Sequence, residues 1–284
     1  MSLSQEIKKE YSQINTLKEV TTAFENIAST RIQQIKDRTL SAKTFFSDLW
    51  DIYSQLRRDP SERITGDKYT ARKKKGDLVV VVTSRGKLSG DIDYKIVERV
   101  LSEVDSNKID IVSVGAHGAL LLEERGVEPI QVFELPEQKE YLGEVSGIID
   151  FIQDYSNTTV YYETYISLAK QEVKKIELLF AVKELSGEEL KEQKAEEVIY
   201  KSDYIFEPSF KEVIEYMEST MLKIALSQIL LESNLAQQAS RFKAMHLANE
   251  NAEDLKEELN REYHKIRRAE KDARLKEIIY SQQL

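Results

Sequence analysis

One glycine-containing turn of this chain has the residue types and the position to bind a phosphate. Residues 83–90 follow an apolar strand and precede a helix, where backbone amides often hold phosphate groups. The turn does not match the Walker pattern, because Lys87 is followed by Leu88 and the glycine spacing differs, and the dinucleotide fingerprint is also missing. A tight turn formed by Gly86 and Gly90 is therefore the favoured interpretation.

The other chemically capable side chains form no recognisable motif. A second turn at residues 115–118 raises the same phosphate question, and it contains His117. His117, His246 and His264 have no second ligand at metal spacing, and no Ser, Lys or Asp lies in a nucleophile motif. The chain has no cysteine, which excludes disulfides and thiolate ligands and favours a reducing compartment. We therefore expect no catalytic residue, no metal site and no cofactor.

Composition narrows the class of protein. A length of 284 residues allows one or two domains, and 32% charged residues with only four prolines are typical of long solvated helices. The net charge of −9 argues against general nucleic-acid binding. The longest purely aliphatic run, residues 78–82, is far shorter than the roughly 20 residues of a membrane helix, and the first ten residues lack the apolar block of a signal peptide. The sequence therefore predicts a soluble protein.

The two ends of the chain both have coiled-coil periodicity. Toward the C-terminus, apolar or small residues recur about every 3.4 residues, the repeat of a helix packed on another helix. They are Leu235, Ala239, Phe242, Met245, Ala248, Ala252, Leu255, Leu259, Tyr263 and Ile266. Toward the N-terminus the step is about 3.5 residues. The N-terminal set is Leu3, Ile7, Tyr11, Ile14, Leu17, Val20 and Phe24, continued by Ile27 and Ile35. We expect the two ends to pair as one antiparallel or splayed coiled coil.

The middle of the chain has the pattern of an α/β domain. Strands are predicted at residues 78–83, 109–114 and 130–133, with helices after each, which implies a parallel sheet. Residues 158–166 and 172–182 are predicted to be an antiparallel pair. The predicted fold class is α/β with long helices, in which N- and C-terminal helices form an antiparallel coiled coil around an inserted Rossmann-like α/β domain.

Four segments follow from these patterns. They are an N-terminal coiled-coil helix at 1–58, a linker at 59–76, a globular α/β domain at 77–206 and a C-terminal coiled-coil helix at 207–284. Pro60 ends the first helix, and the basic run 72–75 within the linker is interpreted as a solvated hinge.

Several segments, taken in order, resemble the gamma subunit of F-type ATP synthase. The chain is similar to that family at residues 6–31, at Thr83–Gly90 with no Cys in the turn, and at Val114–Gly118 with His117 in place of a lysine. Residues 204–209 resemble the segment that opens the C-terminal helix. The strongest likeness is in residues 239–252 and 263–267. Each match is weak alone, but five in order at the right spacing are specific.

The resemblance implies a rotor rather than an enzyme. A family member is the non-catalytic central shaft of a proton-translocating complex, and it couples rotation of the membrane c ring to conformational changes in the catalytic beta subunits. The implied partners are the alpha and beta subunits, the epsilon subunit and the c-subunit ring, with no nucleic acid and with the membrane reached only through the c ring. The implied location is peripheral, on the cytoplasmic face of the bacterial plasma membrane.

The resemblance also implies residues that contact other subunits. These are Arg31, Tyr204, Phe206, Glu207, Arg267 and Arg268. Arg31 lies at the family's basic position near the beta-subunit loops, although an exposed coiled-coil flank explains it equally well. Arg267 and Arg268 fall where the family has an Arg-Gln pair, so Arg268 departs from the pattern. The family's apolar tip is here the more charged segment 269–279.

Two other hypotheses stay open at the level of sequence. A coiled-coil scaffold without a role in ATP synthesis would explain the helices but not the ordered matches in the insert. A small α/β enzyme with a coiled-coil arm would bind a nucleotide at residues 84–90.

Overall fold

The structure, a computed structural model, describes residues 3–56, 75–86, 88–106, 108–134, 141–178 and 205–281. Two long helices, α1 (Leu3–Leu56) and α5 (Phe210–Ser281), lie at the two ends of the described chain. Between them are β1 (Leu78–Val82), α2 (Ile92–Glu103), β2 (Asp110–Val114), α3 (Ala116–Glu123), β3 (Gln131–Phe133), α4 (Tyr141–Ile152), β4 (Thr158–Tyr165) and β5 (Gln171–Glu177). The chain divides into two compact units, one made of Met1–Thr30 with Arg241–Leu284 and the other of Arg31–Ser240.

The second unit is built on a five-stranded sheet with the order β3-β2-β1-β4-β5. β1 pairs in parallel with β2 and β4, and β2 pairs in parallel with β3. β4 and β5 are antiparallel, with Glu163 opposite Val173. The predicted parallel sheet and its antiparallel pair are therefore confirmed, except that residues 179–182 of the last predicted strand lie outside the described residues.

Strand β1 is buried on both faces, which explains its unbroken aliphatic sequence. Leu78, Val80 and Val82 lie in a core with Ile148 and Ile149 of α4. Val79 and Val81 point the other way, into a core with residues of α2 and α3. Each such side chain contributes roughly 1.5–3 kcal/mol on burial, so the two covering layers stabilise the sheet from both sides.

The first part of α5 belongs to this α/β unit. Ala225, Leu226, Ile229 and Leu230 pack into the core on the α4 face of the sheet. Earlier in α5, Met221 and Ile224 pack against Phe46 of α1. The four-segment division with boundaries at residues 58, 76 and 206 stays a prediction.

The first unit is the predicted antiparallel coiled coil. Lys256 Nζ lies 5.7 Å from the centre of the Tyr11 ring, and Glu25 Oε1 lies 3.0 Å from His246 Nδ1. Numbers therefore fall along α5 as they rise along α1, which is the antiparallel direction.

The seam of the coiled coil differs from the predicted one at several positions. In the part of α1 that belongs to this unit, the buried residues are Ile7, Thr21 and Ala28, whereas Leu17 and Val20 are 49% and 45% exposed. On α5 the buried residues Met245, Ala252 and Leu259 are again seven apart, and Leu255 is exposed. The seven-residue repeat fixes which side chains face the partner helix, so the seam takes a threonine and an alanine while nearby leucine and valine side chains face outward.

Candidate functional site

The predicted subunit-contact residues lie on the surface of both units. Arg31, Glu207, Arg267 and Arg268 are exposed. The Arg267 guanidinium lies 5.9 Å from the Tyr263 ring centre, one helical turn away on α5. Their role in subunit contact stays a prediction.

The predicted aromatic contacts lie just before α5. Phe206 is half-buried and meets Phe210 edge-to-face, with ring centres 5.0 Å apart. Tyr204 lies outside the described residues. The helix itself is capped by Ser209, whose Oγ accepts a hydrogen bond from the Glu212 N–H at 3.3 Å. The cap fixes where the helix begins and hence where Phe206 packs.

Sequence reasoning missed two exposed side chains at the same helix start. Ile205 is 93% exposed and Tyr216 is 73% exposed. A large apolar side chain with so little cover is typical of a surface that meets another protein. For Ile205, the available signal was its position next to Phe206 in the chain.

A second set of exposed apolar residues lies on the coiled-coil unit. Its members are Leu17, Val20, Ile27, Leu247, Leu255, Leu275, Ile278 and Ile279. The last three fall in the charged C-terminal segment, so that segment also presents apolar side chains. These outward-facing residues have no role in the helix seam, and they suit contact with another protein.

In the two candidate phosphate-binding turns, three backbone amides donate hydrogen bonds inside the protein. Ser84 N–H donates to Asp93 Oδ1 at 3.0 Å, His117 N–H to Ser84 O at 3.2 Å, and Gly118 N–H to Thr83 Oγ1 at 2.9 Å. A Cβ atom at Gly118 would lie 2.3 Å from Thr83 Oγ1. The second turn, at residues 115–118, therefore needs its glycine for packing, and nothing in this geometry favours phosphate binding.

Ser84, Asp93 and His117 form a buried polar cluster beneath this turn. His117 Nδ1 and Ser84 Oγ lie 2.7 and 2.5 Å from Asp93 Oδ2. A hydrolytic triad needs the histidine in contact with the serine, whereas here the aspartate separates them. All three side chains are at most 6% exposed, so substrate has no access. Within the described ranges, no group of three or more His, Asp or Glu side chains is arranged to bind a metal ion.

Glu163 of β4 is a further buried polar residue that sequence reasoning missed. Its Oε2 accepts hydrogen bonds from Ser233 Oγ at 2.9 Å and from Gln237 Nε2 at 3.2 Å, both on α5. Burial, and then the neighbouring Asp93 charge, raises the pKa of Glu163 well above its usual 4.5. The sequence signal was a glutamate inside a strand that is otherwise made of Thr, Val and Tyr.

The part of the chain that the structure describes contains no helix both long and apolar enough to span a bilayer.

Together, these features define a class of protein. In chain order, its α/β sheet domain is inserted between two long helices, α1 and α5, whose outer parts form an antiparallel coiled coil. Comparisons with known proteins agree with this architecture. The rotor of the Euglena gracilis mitochondrial ATP synthase superposes with a TM-score of 0.63 at 15% identity, covering 94% of this chain and 98% of that one. The central stalk/c-ring structure from Tetrahymena thermophila gives a TM-score of 0.57 at 18% identity, covering 81% and 99%.

The sequence comparisons identify the family. The ATP synthase family model matches residues 4–283. The ATP synthase gamma chain of Cytophaga hutchinsonii is 24% identical, with 96% of each chain covered. That of Pasteurella multocida is 26% identical, with 98% of each covered. The chain belongs to the ATP synthase family, and these relatives within it are gamma chains.

Proposed function

We propose that this chain is the central rotor shaft of a proton-translocating ATP synthase, a non-catalytic subunit that transmits torque between a membrane c ring and a catalytic ring of alpha and beta subunits. Family membership over residues 4–283 is the observation that carries this proposal. The c ring, the epsilon subunit and the alpha and beta subunits are the partners, and the chain is held peripherally at the cytoplasmic face of a bacterial plasma membrane.

The coiled coil supports a mechanical role. Helix α5 has 72 residues, which corresponds to roughly 108 Å of helix at 1.5 Å per residue. One charge crossing 100 mV supplies about 2.3 kcal/mol, so several proton steps must be added together for each ATP. A helix braced by a second, antiparallel helix resists bending and twisting while those steps accumulate.

The exposed apolar side chains suit contacts with two different partners of such a shaft. Leu247 and Leu255 on the coiled coil would face the inner surface of the catalytic ring, together with Arg267 and Arg268. Ile205, with Phe206 and Glu207, would face the c ring. ATP chemistry then stays with the beta subunits, in line with the Ser84 amide, which is bonded to Asp93 within the protein.

Single introduced cysteines test the rotor directly, because the natural chain has none. In the reconstituted complex, Leu255→Cys would be linked by a disulfide to a cysteine on a beta subunit. We expect this link to stop ATP hydrolysis and a reductant to restore it. In the control, Ile205→Cys would be linked to a c subunit, which rotates with the shaft, and hydrolysis and synthesis should continue. Unchanged hydrolysis with the beta-subunit link in place would refute rotation.

Arg267 and Arg268 have a matched control on the same helix. Arg267→Ala with Arg268→Ala should reduce coupled ATP synthesis, whereas Lys271→Ala with Arg274→Ala should not. A scaffold unrelated to ATP synthesis predicts that neither pair changes synthesis and that the chain does not co-purify with alpha, beta and epsilon subunits.

A further inference from the structure

Two carboxyl groups from different elements are buried together in the α/β unit, and shaft rotation gives them no role. Asp93 of α2 and Glu163 of β4 are both 0% exposed. The donors to Glu163, Ser233 and Gln237, come from α5 and are themselves at most 2% exposed. These four side chains therefore connect the sheet, helix α2 and helix α5.

The hydrogen bonds of the two carboxyl groups are unequal. Asp93 accepts the Ser84 N–H on Oδ1 and has His117 Nδ1 and Ser84 Oγ beside Oδ2. Glu163 receives both of its donors on Oε2, and its buried Oε1 has no donor among the described residues. The Asp93 carboxyl group is close enough for its charge to raise the pKa of Glu163.

Two adjacent carboxylates cannot both remain ionised away from water. An ionised oxygen that is buried without a donor is similarly unfavourable, whereas a protonated one becomes a donor itself. Asp93 already has donors at both of its oxygens, whereas Glu163 Oε1 has none, so Glu163 is the carboxyl group that gains most from holding a proton.

We propose that Asp93 and Glu163 share one proton at neutral pH, with Glu163 Oε1–H donating to the Asp93 carboxylate, and that this bond makes the attachment of α5 to the sheet proton-dependent. The neutral acid leaves Glu163 Oε2 free to accept from Ser233 and Gln237, which fixes one turn of α5. Loss of the proton places two negative charges together at this junction.

Among the described residues, the charged groups around Glu163 do not supply a counter-charge to it. Val173 lies opposite it on β5, and Lys175, the next residue on that face, is 3.0 Å from Glu103 Oε2. Arg99 of α2 is bound to Glu103 and to the Val173 carbonyl.

On the other elements, His117 of α3 contacts Asp93. Glu232 of α5 accepts from Thr164 and Tyr162, and Glu172 and Lys174 of β5 alternate onto the opposite face of the sheet. Asp93 is thus the charge that acts on Glu163 most directly, and it favours protonation.

The dependence of stability on pH through Glu163 has a definite sign. The pKa of Glu163 is higher in the folded chain than its usual 4.5, so above pH 4.5 the folded state holds a proton that the unfolded state has lost. The stability that Glu163 contributes therefore falls as pH rises from 4.5 to the pKa of Glu163 in the folded chain. Above that pKa, Glu163 causes no further change in stability. One proton changes the unfolding equilibrium constant by up to tenfold per pH unit.

Glu163→Gln is the central variant, since the amide keeps the shape, donates to Asp93 and does not titrate. Stability is measured by urea unfolding of the full chain between pH 5 and 9. The unfolding equilibrium constant of the wild type should rise relative to that of Glu163→Gln by up to tenfold per pH unit. Glu232→Gln is the control, because it changes a neighbouring α5 carboxylate that accepts only hydroxyl groups, and it should keep the wild-type pH slope. Identical slopes for wild type and Glu163→Gln would overturn the proposal.

Infrared spectroscopy of the folded wild type gives a second readout that does not depend on any variant folding. A protonated carboxylic acid band at pH 7 that resists exchange with D2O is expected, and it should be missing from Glu163→Gln if that variant folds. A wild-type spectrum with only ionised carboxylates at pH 7 would refute the shared proton. Neither measurement involves the catalytic ring, so failure here would leave the rotor proposal unaffected.

Discussion

Glu25 Oε1 lies 3.0 Å from His246 Nδ1, although 221 positions separate the two residues along the chain. One heptad earlier on α1, Lys18 forms an ion pair with Glu253, which is one heptad later on α5. The two helices therefore advance by equal steps in opposite directions. The equal seven-residue steps define the register of the antiparallel coiled coil. They also place polar contacts at regular intervals beside the apolar seam.

The Lys18–Glu253 pair should contribute a small, salt-sensitive amount to that register. Lys18→Glu and Glu253→Lys should each destabilise the coiled coil, and the double variant should restore it to within about 0.5 kcal/mol, since exposed pairs have small coupling energies. Urea unfolding of the four chains in low and high salt measures the coupling. Equal coupling at both salt concentrations would argue against an ion pair.

Two leucines one turn apart on α5 should differ sharply. Leu259 is 8% exposed and Leu255 is 41% exposed. Leu259→Ala should lower stability by about 2–3 kcal/mol because it leaves a cavity in the seam. Leu255→Ala should change it by less than about 1 kcal/mol.

Amide hydrogen exchange near residue 259 measures the difference in local stability between the Leu259→Ala and Leu255→Ala variants. If the two variants were equally protected, the seven-residue seam would be wrongly assigned.

Two glycine-to-alanine changes should have opposite signs. Gly118→Ala brings its Cβ within 2.3 Å of Thr83 Oγ1, so we expect a loss of about 1–3 kcal/mol from overpacking. Gly147→Ala lies inside α4 with nothing within 4 Å of the new Cβ, so we expect a gain of about 0.5–1 kcal/mol from helix propensity. The urea midpoints of both variants test this pair, provided that the slope of the unfolding free energy against urea concentration is unchanged. A stabilising Gly118→Ala would mean that Thr83 moves away at no cost.

The surface cluster around Glu103 should give a dependence on acid pH. Hydrogen bonds from Arg99, and then from Lys175 and Tyr161, lower the pKa of Glu103 to about 2. Because the folded pKa lies below the usual 4.5, the stabilisation is complete above pH 4.5 and is lost as pH falls toward 2. The side chain is 32% exposed, so solvent screening keeps the effect at about 1 kcal/mol or less.

Glu103→Gln should therefore be less stable than wild type at pH 7 and equal to it near pH 2. Glu98→Gln serves as the control, since Glu98 has only a 3.6 Å contact with Arg125 and a more exposed side chain. A carboxyl NMR titration of Glu103 measures the pKa directly. A midpoint near 4.5 would show that the cluster does not act on this group.

Much of the fold was predictable because it depends on local repetition. The unbroken aliphatic strand at residues 78–82 predicted a doubly covered strand, and the turns around Gly90 and Gly115 followed from adjacent residues. The resemblance to the gamma subunit also needed only short ordered segments, and the family match confirms it. The contact residues Arg31, Tyr204, Phe206, Glu207, Arg267 and Arg268 remain predictions, because their role depends on other subunits.

The amino-acid sequence alone determined the helix periodicity at both ends, the alternation of strands and helices in the inserted domain and the lack of a nucleophile or phosphate-loop motif. Only the tertiary structure decided that Thr21 and Ala28 face the seam while Leu17 and Val20 face outward, and that Glu163 is buried with Ser233 and Gln237 as its donors. Periodicity is a property of neighbouring residues, whereas helix register and the hydrogen bonds of a buried carboxyl group depend on side chains brought together from distant parts of the chain.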